Sequence, residues 1–372
     1  MRRRAFLSGA GLAGLSGLAG CAATGGERTT APPGDEAIPN GTASPGATGT
    51  PGTPPEDADL PDGVYVQRYR ERMAMQGTAS AGPYTVGLMY AAPHVFWTVT
   101  GTDLQRTERS GDVHLMAVVW DTETRTVLPE AGVSVEITRD GDLVSEEVIY
   151  PMLSQLMGFH YGANFGLDGD GEYVARVSVG GLDYRRTGAF EDRFEEPATA
   201  EIPFSFTEAE RRKVTARRLD AYGKRGAVRP MDTGMPRALA PEESALPGRV
   251  LGTATSDDAR LLTTVLDAPP GGVDGDGPYL YVSARTPYNR MVVPAMALEA
   301  TLARDGETAF EGDLARTLDP DLGYHYGAAL EGTAAESGDD LTLSVTLPPQ
   351  VARHEGYETA FLDMAPVEVT LS

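Results

Sequence analysis

Residues 133–150 read VSVEITRDGDLVSEEVIY, and this stretch decides the fold class. Apolar and polar residues alternate along 133–138, the pair Asp140-Gly141 follows, and a second β-type run covers 144–150. Alternation with a period of two is typical of a half-buried strand, and an Asp-Gly pair between two such runs is typical of a hairpin turn. The stretch therefore predicts two antiparallel strands and places the chain in the all-β class.

The same pattern recurs 165 residues later in the chain. An ungapped match joins 111–165 to 276–330, and it pairs Arg139-Asp140-Gly141 with Arg304-Asp305-Gly306 and His160-Tyr161-Gly162-Ala163 with His325-Tyr326-Gly327-Ala328. Further strands are expected at 173–179, 297–303, 341–347 and 367–371. A period this long indicates a duplicated domain and not a solenoid. With about seven strands per copy, the sequence predicts two tandem immunoglobulin-like β-sandwich domains joined by a short helical linker.

The first residues of the chain have the features of an export signal. Three consecutive arginines, Arg2 to Arg4, precede an apolar, Gly-rich run that ends in Leu18-Ala19-Gly20-Cys21. This is typical of a twin-arginine signal with a lipobox at 1–21, in which Cys21 becomes the lipid attachment point. Cys21 is the only cysteine, so the sequence excludes an intramolecular disulfide and a cysteine-based metal cluster.

Composition sets the remaining boundaries. Residues 22–60 are rich in Thr, Pro, Gly, Ser and acidic residues, which predicts a disordered tether. The first sandwich is then expected at 61–206, the linker at 207–248 and the second sandwich at 249–372. Within the linker, 207–222 is charged and helix-prone, and another short helix is expected near residues 66–76.

The chain is strongly acidic, with a formal net charge of −23. Its only lysines are Lys213 and Lys224. A charge of this sign excludes nucleic acid as a partner, because the phosphate backbone would be repelled. An acid-rich, lysine-poor surface stays hydrated in high salt, which indicates a halophilic source. Together with the export signal, the composition predicts a lipid-anchored protein on the extracytoplasmic face of the cell membrane.

Candidate metal ligands occur in the first copy. The predicted strand at 112–118 carries His114 and Met116, which lie on one face because they are two residues apart. Further on, Met152 ends a predicted strand, and a predicted loop at 153–159 leads to His160. Further residues of this copy could feed or complete a site, namely Met73, Met75, Met89, His94 and Met157. Each of these residues alone is more typical of core packing than of a metal site.

A run of motifs in this copy resembles that of the periplasmic high-affinity iron-transport accessory proteins. The motifs are, in order, Tyr150-Pro151-Met152, His160-Tyr161-Gly162, Leu167-Asp168-Gly169 and Gly171-Glu172-Tyr173, within a similarity that spans 82–206. The resemblance implies an immunoglobulin-like sandwich that binds copper, works beside an iron permease and is often a homodimer. It also implies that His114, Met152 and His160 are ligands, and Met116 is expected to join them.

Two departures from the family pattern change the expected chemistry. Met116 stands where the family has an acidic residue, and Tyr184-Arg185-Arg186 stands where it has a late His-x-His segment. Two imidazoles with two thioethers suit copper, Cu(I) especially, better than iron or manganese, which prefer oxygen ligands. Arg185 and Arg186 are expected near the site, where their charge would disfavour a cation.

The second copy lacks most of these donors. Tyr279, Tyr281 and Thr317 stand in place of His114, Met116 and Met152, and His325 alone stays in register with a histidine. Since His354 falls near the family's late histidine, His325 and His354 are candidates for a weak second site. The alternative is a structural copy in which His325-Tyr326-Gly327 is retained for loop geometry and hydrogen bonding.

Two classes of function remain open at this point. The first is a surface lipoprotein that binds copper and assists the uptake of iron or another metal. The second is a structural or adhesive lipoprotein of two sandwiches without a metal site. We expect no enzyme, because the sequence has no nucleophile elbow, Gly-rich phosphate loop or HExxH motif, although a copper redox activity stays open.

Overall fold

The computed structural model of the protein describes residues 60–371. The predicted signal at 1–21, its Cys21 and all but the last residue of the predicted tether lie outside the described residues. Within 60–371 the regular structure is almost entirely β, which confirms the predicted fold class. None of the described helices is long and apolar enough to span a membrane.

The strands follow one another in an order that repeats along the chain. They are β1 (Tyr69–Arg72), β2 (Ala74–Ala81), β3 (Tyr84–Ala91), β4 (Trp97–Thr100), β5 (Asp103–Arg106), β6 (Val113–Asp121), β7 (Val133–Arg139), β8 (Asp142–Ser154), β9 (Gly158–Phe165), β10 (Gly171–Val179), β11 (Arg185–Arg186), β12 (Ala198–Phe206), β13 (Thr215–Arg218), β14 (Arg249–Ser256), β15 (Ala259–Leu266), β16 (Tyr279–Arg285), β17 (Ala297–Arg304), β18 (Glu307–Asp319), β19 (Gly323–Ala329), β20 (Asp340–Leu347), β21 (Ala352–Arg353) and β22 (Val367–Thr370). The helices are α1 (Glu208–Arg211) and two 3-10 turns, Gly188–Phe190 and Glu243–Ala245.

Each copy of the repeat forms a sheet with the same strand order. The hydrogen-bonded path is β12-β10-β7-β8-β9-β6-β3-β2 in the first copy and β22-β20-β17-β18-β19-β16-β15-β14 in the second. The long strand β8 pairs with β7 along its first part and with β9 along its second part, and β18 does the same with β17 and β19. Each sheet therefore bends into layers that enclose a hydrophobic core, as expected of a sandwich.

The predicted hairpin turns have the backbone that an Asp-Gly pair favours. Asp140 and Gly141 have φ angles of 52° and 91°, and Asp305 and Gly306 have φ angles of 51° and 81°. Both residues of each pair are thus left-handed, which matches the right-handed twist of the flanking strands.

The two end strands of the first sheet, β12 and β2, also contact each other, because the Ser205 backbone N–H donates to Oε1 of Gln76 at 3.1 Å.

The two copies exchange short strands. β21, from the second copy, pairs in parallel with β8, so that Ala352 lies opposite Met152. β11, from the first copy, pairs in parallel with β18, so that Arg185 lies opposite Thr317. The exchange is reciprocal, since Met152 and Thr317 are 165 residues apart. Residues of one copy therefore reach the centre of the other.

The tyrosine of each His-Tyr-Gly motif hydrogen-bonds to the backbone of the segment that precedes β7 or β17. Tyr161 is fully buried, accepts a hydrogen bond from the Ala131 N–H at 2.7 Å and donates one to the Leu128 carbonyl at 2.9 Å. Tyr326 makes the equivalent bonds at 3.1 Å to Met296 and Val293. The motif is thus retained in both copies for a structural reason that is independent of its histidine.

Two predicted helices are wrong. The segment near 66–76 contains β1 and the start of β2, and the segment 207–222 contains only the four residues of α1 before β13 begins. The cause is a long-range pairing, because β1 and β13 form a two-stranded sheet in which Tyr69 lies opposite Arg218. Such pairing overrides the local helix propensity of both segments. The predicted domain boundaries at 61–206, 207–248 and 249–372 stay a prediction.

We predict that Tyr161→Phe lowers the free energy of unfolding by about 1–3 kcal/mol, because the buried Ala131 N–H loses its acceptor. Urea unfolding followed by circular dichroism measures this difference. Tyr288→Phe is the matched control, since that ring is exposed. Equal stability of the two variants would contradict the structural role of the motif tyrosine.

Candidate metal centre

Three neighbouring strands bring His114, Met152 and His160 to one face of the first sheet. Met152 on β8 lies directly opposite His160 on β9, and β9 pairs in turn with β6, which carries His114. A Cβ atom on Gly162 would lie 3.0 Å from Nε2 of His114 and 3.1 Å from the sulfur of Met152. The missing side chain of this glycine therefore leaves the space in which the two donor atoms approach each other.

A fourth donor, His354, arrives from the second copy with β21. Its backbone N–H donates to the Leu153 carbonyl at 3.1 Å, and its Nε2 lies 3.2 Å from the sulfur of Met152. The crossing segment is anchored by Gln350, whose side-chain amide exchanges two hydrogen bonds of 2.9 Å with the Gly101 backbone. The imidazole ring of His354 lies 5.2 Å from that of His160, centroid to centroid.

The hydrogen bonds of these imidazoles define their tautomers. Nδ1 of His160 lies 3.0 Å from the Gly158 carbonyl, which only accepts, so Nδ1 carries the proton. Nδ1 of His114 lies 2.9 Å from Oδ1 of Asn164, and the amide nitrogen of Asn164 is already turned to backbone carbonyls. Both rings therefore present an Nε2 lone pair, and neither Nε2 has a hydrogen-bond partner among residues 60–371.

Burial keeps these rings neutral. Desolvation lowers the pKa of His160 to about 4 and that of His114 well below 6.5. The pKa of His354 is also lowered, first by burial and then by the neighbouring histidines. Neutral imidazole is the protonation state that can bind a metal ion, and these rings are in that state at neutral pH.

Apolar side chains surround the donors. Phe96 packs with Met152 and Ala352, and its ring lies 5.8 Å from that of His114 and 5.4 Å from that of Tyr150. Apolar side chains of this kind limit the access of water to the ligand atoms.

One more histidine stands at the edge of the cluster. His94, in the segment between β3 and β4, has a side chain that is 13% exposed. One ligand atom each of His94, His114 and His354 can be chosen so that all lie within 4.8 Å of one another. His160, which lies opposite Met152 on β9, is outside this group of three but adjoins it, with its ring 5.2 Å from that of His354.

The structure separates some residues that the sequence grouped. Met116 lies on the same strand face as His114 but is buried in the main hydrophobic core, whereas Met152 packs in the small cluster with Phe96. The expected pairing of His325 with His354 does not form, because β21 carries His354 into the first copy. Its nearest partners there are Met152 and His94.

The expectation that Arg185 and Arg186 lie near the first site is wrong, because β11 carries them into the second copy. The Arg185 guanidinium donates to the Thr317 hydroxyl at 2.8 Å, the Tyr279 hydroxyl at 2.8 Å and the Gly327 carbonyl at 2.6 Å. It thus fills the place that corresponds to the donor cluster of the first copy.

In the second copy, both ring nitrogens of His325 already have hydrogen-bond partners. Nδ1 of His325 lies 3.0 Å from the Gly323 carbonyl and Nε2 lies 3.0 Å from the Tyr279 hydroxyl, which donates to it. The ring also stacks on Tyr281 at 4.6 Å. No lone pair of His325 is left for a metal ion, so the second copy has the architecture of the site without its donors.

From the sequence, His94 was expected to be able to complete the first site, but His354 was placed in the second copy and Asn164 was given no role. A 165-residue offset assigns His354 to the second copy, and nothing local reveals that the chain crosses over. Asn164 had a signal, since it lies four residues after His160 on the same strand face.

Comparison with known proteins gives limited matches. A family described as a domain of unknown function, DUF7350, matches residues 244–370. No curated protein matches the chain. A copper-bound variant of FetP from uropathogenic Escherichia coli strain F11 is 19% identical, with a TM-score of 0.30, over 37% of this chain and 98% of FetP. The as-isolated FetP structure is 21% identical, with a TM-score of 0.29, over 37% of this chain and 97% of FetP.

We predict that His325 makes the metal-free protein sensitive to acid. Burial lowers its pKa from 6.5 to about 4, so between these pH values the unfolded chain binds a proton that the folded chain does not. The contribution of His325 to the free energy of unfolding is therefore retained above pH 6.5. It decreases as the pH falls, by about 2 kcal/mol between pH 7 and 5. Glu355, whose pKa burial raises to about 7, acts in the opposite direction.

The measurement is therefore a difference between wild type and His325→Gln. Urea unfolding of both metal-free proteins at pH 7 and pH 5 isolates the His325 ring from Glu355 and from the other buried histidines, which are present in both proteins. The stability of wild type relative to the variant should fall by about 2 kcal/mol. A relative stability that is the same at both pH values would contradict the burial of a neutral ring.

Gly162→Ala should lower the free energy of unfolding by about 1–3 kcal/mol, because its methyl group would press on His114 and Met152 inside the packed sheet. Gly166→Ala is the control, since a Cβ there meets no atom within 4 Å. Chemical unfolding compares the two variants with wild type. A harmless Gly162→Ala would contradict the close approach of the donors at this position.

Proposed function

We propose that this protein binds one copper ion, as Cu(I), through Nε2 of His114, His160 and His354 and the sulfur of Met152. One observation carries the proposal: the buried rings of His114 and His160 commit their Nδ1 protons to fixed acceptors and leave Nε2 without a hydrogen-bond partner among residues 60–371. Nε2 of His354 lies 3.2 Å from the sulfur of Met152 in the same cluster. A metal-ligating histidine is held in the same way, by a hydrogen bond from its other ring nitrogen. The proposed set omits Met116.

The donor chemistry favours copper over the other candidates. Imidazole nitrogen and thioether sulfur are soft to borderline ligands, and a neutral set of three nitrogens and one sulfur suits Cu(I). Iron and manganese prefer carboxylates and water, which the four proposed donors do not provide. The acidic surface adds a general attraction for cations but does not select among them.

We further propose that the protein works outside the cytoplasm, attached to the membrane through Cys21, and that it assists a metal permease in iron or other metal uptake. The supports are the signal-like residues 1–21 and the motif run in the first copy. The role is binding and transfer of the ion, with no catalytic step assigned.

The second copy supports the site without duplicating it. It contributes His354 through β21, while its own centre is occupied by the Arg185 guanidinium. Because both halves belong to one chain, a homodimer is not required to complete the proposed ligand set. The second copy is therefore proposed as a structural partner and not as a second copper site.

Titration of the purified protein with Cu(I) against a chromophoric chelator tests the proposal. We expect one tightly bound ion per chain. His160→Ala should weaken binding by more than the roughly 10–100-fold that the loss of an outer partner causes, because it removes a direct ligand. High salt in the buffer suppresses adsorption to the acidic surface.

His325→Ala is the matched control, since it removes the histidine at the same position of the other copy. It should leave copper affinity unchanged, because its Nε2 is already bonded to Tyr279. Absence of stoichiometric copper in wild type would favour the alternative of a purely structural or adhesive lipoprotein. Equal losses in the two variants would also contradict the proposed site.

A further inference from the structure

His94 contacts the donor cluster but lies outside the proposed ligand set. Its ring is 4.0 Å from the ring of His114, and its Nε2 is 3.1 Å from Nδ1 of His354. His94 belongs to the first copy and His354 to the second. The pair is therefore a direct hydrogen bond between the copies at the edge of the site.

The direction of this hydrogen bond follows from the other side of the ring. Nδ1 of His94 lies 3.1 Å from the Ala92 carbonyl, which can only accept, so this nitrogen carries the proton. In the neutral ring Nε2 then holds the lone pair and must accept. His354 is consequently the donor through its own Nδ1, and its Nε2 is left with a lone pair beside Met152.

The His94 segment is itself tied to the site. The side-chain amide of Asn164 donates to the His94 carbonyl at 3.0 Å, while its oxygen accepts from Nδ1 of His114. One asparagine thus links the backbone of His94 to the orientation of His114. Glu71 lies 3.7 Å from Nδ1 of His94, on the solvent side.

We infer that His94 is a positioning residue that fixes His354 in the tautomer able to bind copper. If no acceptor faces Nδ1 of His354, the ring can change to the tautomer that carries its proton on Nε2. An N–H then points toward Met152, and the Nε2 lone pair is lost from the site. His94 therefore completes a ligand set that is shared between the two copies. This inference rests on the proposed copper site and assigns a role within it.

Two substitutions separate positioning from packing. His94→Gln keeps a side-chain oxygen near the place of Nε2 but loses the aromatic ring, whereas His94→Phe keeps a ring against His114 and loses the acceptor. Positioning predicts that the glutamine variant stays within about threefold of the wild-type Cu(I) affinity, and that the phenylalanine variant loses about 10–100-fold. Packing alone predicts the reverse order.

A second measurement needs neither a substitution nor copper. Nitrogen-15 NMR of the metal-free wild type, with labelled histidine, reports the tautomer of each ring. We expect His354 to be protonated at Nδ1, and we expect His94→Phe to shift the ring toward the other tautomer. A wild-type His354 protonated at Nε2 would overturn the inference even if the variants fail to fold.

The outcomes distinguish the inference from the function on which it rests. Equal losses in the glutamine and phenylalanine variants would make His94 a direct ligand and overturn its positioning role. Wild-type affinity in the phenylalanine variant, together with loss of binding in His160→Ala, would overturn the inference and leave the copper site standing. Wild-type affinity in His160→Ala would overturn the copper site itself.

Discussion

The candidate centre depends on one backbone pairing, the parallel bridge between β21 and β8. It places Ala352 opposite Met152, and the next residues bring His354 beside the sulfur. Side-chain bonds from Gln350 to Gly101 hold the same crossing in place. Without this segment the first copy would hold two buried imidazoles and a thioether open on one side. The duplication of the chain is thus what closes the site, because each copy lends a short strand to the other.

The space beside the buried histidine of each copy is filled by different side chains. In each, a buried histidine protonated at Nδ1 directs Nε2 toward a space between three strands. In the second copy, the Tyr279 hydroxyl and the Arg185 guanidinium fill that space and are hydrogen-bonded to each other, and Tyr279 is also bonded to Nε2 of His325. In the first copy, His114, Met152 and His354 converge, and the Nε2 atoms of His114 and His160 find no partner within residues 60–371. Buried polar atoms without partners are costly, which is why a metal ion explains the first copy better than packing does.

Much of this arrangement could be predicted from local patterns, and the rest could not. Strand periodicity and Asp-Gly turns were sufficient for the all-β class, and the 165-residue match predicted the repeat. The grouping of His114 with Met152 and His160 came from the resemblance to the iron-transport accessory proteins. The exchange of β11 and β21 left no local signal, so His354 was assigned to the wrong neighbour and the arginines to the wrong copy. The helix predicted at 207–222 was wrong for the same reason, because part of this segment forms β13, which pairs with the distant strand β1. Long-range pairing was the missing information throughout.

We propose that donors from both copies meet in one coordination sphere. Anomalous diffraction at the copper absorption edge, from crystals of the copper-loaded protein, tests it most directly. We expect a single strong peak within bonding distance of Nε2 of His114, His160 and His354 and of the Met152 sulfur. A peak elsewhere, on the acidic surface or beside His325, would contradict it.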